Sequence, residues 1–148
     1  MRVLVDYNVL IEMMSSAAES ESSLTQLKVM HEFGDAELWA SAQSFMKLAH
    51  ALESKLSATD AQAMLADVLS WLRVCQVGEE EVQRALSKGR SNLANCLELV
   101  CAERVKADFI VTGNAGVRGL SLIPSGSADD LMDFVCKRLN VRYAVVEL

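Results

Sequence analysis

The sequence predicts an α/β domain of three layers around a central, mainly parallel sheet. Three observations carry this. Val3-Leu4-Val5 and Phe109-Ile110-Val111 are apolar runs without alternation, the pattern of strands buried on both faces. The segments between them place apolar residues at helical spacing. Strand-like and helix-like segments then alternate along the chain, which indicates crossover connections and a parallel sheet.

The first strand runs straight into Asp6, and Val9 to Met14 begins a helix. Ser15 to Ser23 is small, polar and acidic and reads as a loop, with Ser22 or Ser23 as N-cap of the next helix. Leu24, Leu27 and Met30 give that helix its stripe, and it ends near Gly34. Glu37 to Ala40 reads as a strand. Ser41 or Ser44 opens a helix with Phe45, Leu48, Ala49 and Leu52 on one face. Thr59 or Asp60 caps another, carrying Met64, Leu65, Val68, Leu69 and Leu72. Val74 to Val77 is strand-like. Glu79 to Leu86 is helical, with three glutamates at its start, where the helix dipole favours negative charge, and Gly89 breaks it. Asn92 opens a long helix through Leu97, Val100, Cys101 and Val105. Asp108 to Thr112 is the second buried strand. Leu122-Ile123-Pro124 reads as a short strand or bridge, Ser127 caps a helix with Leu131, Phe134, Val135 and Leu139, and Val141 to Leu148 is strand-like.

With 148 residues, 51% apolar and 23% charged, the chain suits one soluble domain. No apolar run reaches a membrane span, and no basic region precedes an apolar stretch at the start, so a cytoplasmic protein is expected. Cys75, Cys96, Cys101 and Cys136 have no metal-finger spacing and read as buried reduced thiols. His31 and His50 are isolated in helical stretches and read as surface or boundary residues. The formal charge of −6 does not draw a polyanion over the whole surface. Basic residues cluster weakly at Lys88 and Arg90, and at Lys137, Arg138 and Arg142; the plain reading is solvated charge.

Parallel sheets bind ligands beyond the carboxyl ends of their strands, which is where Asp6 falls. Around it the chain resembles a known family. Val3-Leu4-Val5-Asp6-Tyr7-Asn8-Val9-Leu10 resembles the opening strand of a PIN domain. Ser41 to Leu48, Asn92 to Glu103 and Lys106 to Asn114 resemble the family's second, third and fourth motifs. The resemblance covers residues 1 to about 135, so residues 1–148 are expected to form a single PIN-like domain with an extension over 136–148.

The resemblance implies a metal-dependent ribonuclease, often the toxin half of a toxin–antitoxin pair. In that family several carboxylates hold magnesium or manganese, hard cations that take oxygen ligands and activate water beside a phosphate. The acidic positions are largely replaced here. Asp6 is kept, as the one expected metal ligand. Lys47 stands at the second motif's glutamate and Asn95 at the third motif's aspartate, with Asn92 at an accompanying acidic position. In the fourth motif, Asn114 and Val117 stand where relatives carry an acid. The site positions by resemblance are thus Asp6, Lys47, Asn95 and Asn114, with Asn8 and Thr112 in support. Lys47 brings a positive charge where a negative one belongs; at about 4 Å, two like charges repel by roughly 4 kcal/mol at an effective dielectric near 20. The expectation is that Lys47 pairs with Asp6 while Asn95 and Asn114 complete a hydrogen-bond network. Asn8 is expected to bond backbone at the strand-to-helix turn, and Thr112 to orient a site residue or cap a turn.

The expected function is therefore a PIN-like domain that has lost nuclease activity and serves as a binding or regulatory module, without a cofactor. The partner is a protein or antitoxin, with a homodimer expected and the strand-like tail as one means of forming it. The alternative is an active Mg- or Mn-dependent ribonuclease of the toxin–antitoxin type, in which Glu12, Glu98 or Glu103 supplies the missing acid. The plain expectation for these glutamates is surface charge. A third reading is RNA binding without cleavage through Lys47, Lys88 and Arg90. Trp39 and Trp71 are expected in the core or an interface.

Overall fold

Strand β1 (Arg2–Val5) lies in the middle of a five-stranded sheet in the computed structural model, which describes residues 1–15, 22–89 and 91–140. The other strands are β2 (Glu37–Ser41), β3 (Leu72–Cys75), β4 (Phe109–Val111) and β5 (Ser125–Gly126). Their order is β3-β2-β1-β4-β5, and every neighbouring pair is parallel. Val3 is paired with Leu38 on one side and Phe109 on the other. The sheet is all-parallel, as the unbroken apolar runs predict.

The helices are α1 (Tyr7–Ser15), α2 (Ser23–Glu32), α3 (Ala42–Glu53), α4 (Ala58–Trp71), α5 (Glu79–Lys88), α6 (Leu93–Arg104), α7 (Ala115–Arg118) and α8 (Ala128–Leu139). Side chains alternate across β1. Val3 and Val5 pack with Leu10, Met13, Leu27, Leu48, Val68 and Leu131, so α1 to α4 and α8 cover that face. Leu4 and Ile110 face the other side with Leu99 and Ala102 of α6, Val105 just past its end, and Val117 of α7. Helix α5 packs outside α6, with Ala85 against Cys96, Leu97 and Val100. Helix α6 is thus covered on two sides, and Asn95 to Ala102 is buried without a break.

Several element ends follow from short polar side chains. Ser22, Ser41, Asn92 and Ser127 cap α2, α3, α6 and α8, each accepting a backbone N–H three residues on. In α5, Glu79 to Glu81 occupy the first turn and Gly89 closes the helix at φ 57°, the left-handed conformation that glycine adopts freely. Three boundaries depart from expectation. Ser57, rather than Thr59 or Asp60, caps α4, because its hydroxyl reaches Asp60 N at 3.1 Å. Strand β3 starts at Leu72 rather than Val74: Leu72 N still closes the last turn of α4 on Val68 O while its backbone is already extended. Strand β5 lies at Ser125–Gly126, just after Leu122-Ile123-Pro124; Leu122 is fully exposed, and Pro124 contributes only its carbonyl, which Ile110 N reaches at 2.9 Å.

Cys75, Cys96 and Cys101 are buried, Cys136 is half-buried, and all four are free thiols. Burial pushes the Cys75 and Cys101 thiols above their usual range, so both stay protonated. His31 is half-buried and His50 exposed. No helix among the described residues is long and apolar enough to cross a membrane. The expected loop between α1 and α2 lies mostly outside the described residues, as do Arg90, Arg142 and the tail from Val141.

Candidate active site at the strand ends

Asp6, Ser41 and Thr112 sit at the carboxyl ends of the adjacent strands β1, β2 and β4. Asp6 is half-buried and enters α1: its N–H donates to Val111 O at 3.0 Å and its carbonyl accepts from Leu10 N at 3.0 Å. Its Oδ1 accepts from Tyr7 N at 2.7 Å and its Oδ2 from Thr112 Oγ1 at 2.8 Å. Thr112 is fully buried, and its hydroxyl also accepts from Asn114 N at 3.0 Å. Thr112 therefore does both things expected of it, orienting Asp6 and capping the turn.

The chain of bonds continues through amides. Asn114 Nδ2 donates to Asn95 Oδ1 at 2.8 Å, and Asn114 Oδ1 accepts from Gly116 N at 2.9 Å. Asn95 Nδ2 donates to Ser91 Oγ at 2.9 Å. Gly116 permits this approach, since a Cβ there would lie 2.4 Å from Asn95 Nδ2. Asp6, Asn95 and Asn114 thus share one network, with Thr112 linking the acid to the amides.

Glu98 belongs to the same place, and the expectation of a surface charge is corrected. It lies one turn along α6 from Asn95 and is only 6% exposed, because α3 and the end of β2 close over it. Its Oε1 accepts from Ser41 Oγ at 2.5 Å, Gln43 Nε2 at 2.8 Å and Ser44 Oγ at 2.8 Å. Its Oε2 is buried without a hydrogen-bond partner. Burial pushes the Glu98 carboxyl above the usual range; the three donors pull it back, and the neighbouring charge of Asp6 adds to the push. The spacing of three from Asn95 was the signal for this residue, since i and i+3 share a helix face.

Two other expectations are corrected. Lys47 is exposed and does not pair with Asp6; among the described residues neither takes part in an ion pair, because the hydroxyl and amide donors already fill that role for Asp6. Asn8 is exposed, and no hydrogen bond of its side chain is found among the described residues; Asp6 serves the turn instead. Glu12 is exposed, and Glu103 pairs with Arg84 and Lys88, so Lys88 is not a free cation. Arg118, which sequence reasoning missed, brings a cation to the strand ends: its Nε and Nη2 donate to Thr112 O at 3.1 and 3.0 Å. Trp39 and Trp71 are half-buried against the two cores. A cleft of about 460 Å³ opens beside Thr112 and Gly113, with Glu12, Ser22 and Asp129 on its walls.

A hard divalent cation needs several oxygens converging on one point. The positions that the resemblance assigns to its ligands do not provide them. Asn95 and Asn114 are neutral and bonded to each other, Lys47 is exposed, and Val117 is apolar. Among the described residues no three His, Cys, Asp or Glu side chains gather to hold a metal. The orphaned oxygen at the strand ends belongs to Glu98, outside those positions.

Comparison with known proteins bears on the fold and the family. The chain is similar in structure to VapBC2 from Rickettsia felis, with a TM-score of 0.63 at 15% identity over 84% of this chain and 97% of that one. It is similar to VapBC-1 from nontypeable Haemophilus influenzae, with a TM-score of 0.61 at 13% identity over 87% and 99%. PAE2754 from Pyrobaculum aerophilum gives 0.60 at 16% identity over 93% and 97%. At these identities the likeness concerns the fold alone. No curated protein matches in sequence. The family model for the PIN domain matches residues 2–116, well over half the chain. The chain belongs to the PIN-domain family.

Proposed function

We propose that this PIN domain does not cleave RNA and acts as a binding module for a protein partner of the antitoxin kind. The carrying observation is the Asp6–Thr112–Asn114–Asn95 network. Its two amides are neutral and already bonded to each other, and they stand where the resemblance implies acids. An amide offers a carbonyl oxygen but no charge to balance a divalent ion.

A protein partner is supported by the acidic balance of −6, which disfavours naked RNA. It is supported too by an open groove of about 580 Å³ lined by Met13, Met14, Met64, Val68 and Trp71. Methionines adapt to varied apolar surfaces. The VapBC2 relative is described bound to a DNA fragment from its promoter, which suits a chain that works inside an assembly.

A second reading, a Mg- or Mn-dependent ribonuclease with a displaced centre, is favoured by the Glu98 carboxylate beside Asp6. A cleavage assay on structured and unstructured RNAs, with magnesium or manganese, separates the two. No cleavage above that of an Asp6→Ala variant is expected. Cleavage by the wild type that disappears in Asp6→Ala overturns the first reading.

A further inference from the structure

Cys75 and Cys101 form a pair of thiols where the end of β3 meets α6. Cys75 is the last residue of β3 and stands beside Ser41 in the ladder with β2. Ser41 Oγ reaches Glu98 Oε1 at 2.5 Å, and Glu98 lies three residues before Cys101 on α6. Residues three apart share a helix face, so Cys75, Ser41, Glu98 and Cys101 close a ring of neighbours. The closing contact is direct: Cys75 Sγ lies 4.0 Å from Cys101 O, and the two thiols hydrogen-bond each other.

Both side chains are buried, at 2% and 0% exposure, in one cluster with Leu4, Leu99 and Ala102. The other two cysteines stand apart. Cys96 packs towards α5 in a separate cluster, with its Sγ 3.8 Å from Ser91 O, and Cys136 is on α8, across the sheet. A disulfide forms where two cysteines approach from facing elements at short range, and Cys75 and Cys101 meet that requirement.

We propose that Cys75 and Cys101 are a reversible oxidation site, at which a small disulfide of the glutathione class links the end of β3 to α6. The chemistry is thiol–disulfide exchange. The Cys75 thiolate attacks one sulfur of the small disulfide. That S–S bond breaks, a mixed disulfide forms on Cys75, and a small thiolate leaves and takes up the proton that Cys75 lost. The Cys101 thiolate then attacks the Cys75 sulfur, the protein disulfide forms, and the second small thiol leaves in the same way. Two protein thiols are oxidised and one small disulfide is reduced to two thiols. Cys75 is the attacking residue because it ends an edge strand next to exposed Gln76, and the Arg104 guanidinium favours its thiolate. In the closed fold burial keeps both thiols protonated, so exchange proceeds when the end of β3, paired with β2 alone, opens locally. The link fixes α6 one turn from Glu98, whether the domain binds a partner or cleaves RNA, so this inference does not rest on the proposed function.

The test incubates reduced full-length protein with oxidised glutathione, in buffer and at urea concentrations below the unfolding transition. The samples are quenched in acid, remaining thiols are labelled with N-ethylmaleimide, and non-reducing peptide mapping locates the links. A Cys75–Cys101 link within one chain is expected, with Cys96 and Cys136 labelled. The linked protein should melt about 3 °C or more above the reduced one, since the closed loop restricts the unfolded chain, and dithiothreitol should reverse the shift. Cys136→Ser should behave as wild type, while Cys101→Ala should stop at a glutathione adduct on Cys75. The wild-type peptide map decides the matter even if Cys101→Ala does not fold. Both cysteines still free at every urea concentration below the transition overturn the proposal. So does a link through Cys96 or Cys136, a link formed only between chains, or a linked protein that melts below the reduced one.

Discussion

Replacing Gly116 by alanine should destabilise the protein, although helix propensity alone points the other way. Alanine outranks glycine inside a helix by up to about 1 kcal/mol. Gly116 lies in the short helix α7, and its φ is not in the left-handed region, so the backbone does not require glycine there. The side chains do. A Cβ would lie 2.4 Å from Asn95 Nδ2 and 3.1 Å from Asn114 Oδ1. Asn95 has little room to retreat, being 8% exposed and bonded on its other side to Ser91 Oγ. Forcing it aside strains the packing by about 1–3 kcal/mol and loosens a hydrogen bond of roughly 1 kcal/mol. After the propensity gain, a net loss of about 1–3 kcal/mol remains, or a fall of about 3–10 °C in melting temperature for a domain of this size. The assay is thermal unfolding by circular dichroism. A second arm repeats the substitution in an Asn95→Ala background, where the clash is gone and Gly116→Ala should be neutral or stabilising. A Gly116→Ala protein that melts at or above the wild-type temperature refutes the closeness of Asn95, Asn114 and α7 on which the network rests.

Thr112→Val removes the hydroxyl between Asp6 and Asn114 and leaves Asn114 N and Asp6 Oδ2 without their partner. A loss of about 1–3 kcal/mol in urea unfolding is expected, with Thr112→Ser close to wild type; equal midpoints for Val and wild type would show that the hydroxyl is not used. At the start of α8, hydrogen bonds from the backbone and hydroxyl of Ser127 hold the Asp130 carboxyl below its usual value of 3.8. A depressed acid contributes stability above its unfolded pKa and loses it as pH falls through the folded value. The melting-temperature gap between wild type and Asp130→Ala should be full at pH 6 and shrink on acidification below pH 3.8. A gap that stays constant down to pH 2 argues against the capping box.

The parts of the fold that were legible are those where one physical requirement dominates. Val3 to Val5 and Phe109 to Val111 are buried on both sheet faces, so no polar residue interrupts them. Ser22, Asn92 and Ser127 announce helix starts because a short polar side chain there satisfies an orphan N–H. Strand β3 was misplaced because Leu72 serves the last turn of α4 and the first position of the strand at once. Strand β5 has two residues, and what defines it is pairing with β4 rather than any pattern of its own. The motif order singles out Asp6, Thr112, Asn95 and Asn114, and hydrogen bonds join them in the fold. Glu98 entered the sequence reading only as an alternative to plain surface charge, and Arg118 did not enter it, because a charged residue on a helix reads as solvated until the neighbouring elements are in place.

The two amides and the buried acid explain one another. Asn95 and Glu98 are three apart on α6, where Cβ atoms stand about 5–6 Å apart. Were Asn95 an aspartate, two charges at about 6 Å would repel by roughly 3 kcal/mol at an effective dielectric near 20, with Asp6 adding to it. A neutral amide avoids that repulsion while still accepting from Asn114 Nδ2 at 2.8 Å. Asn95→Asp should therefore lower stability by about 1–3 kcal/mol in metal-free buffer, since the half-open site screens part of the repulsion. Urea unfolding in the presence of chelator measures the loss. A variant as stable as wild type in chelator would mean that Glu98 carries no charge there, and the pairing of a neutral Asn95 with an acidic Glu98 would lose its electrostatic reason.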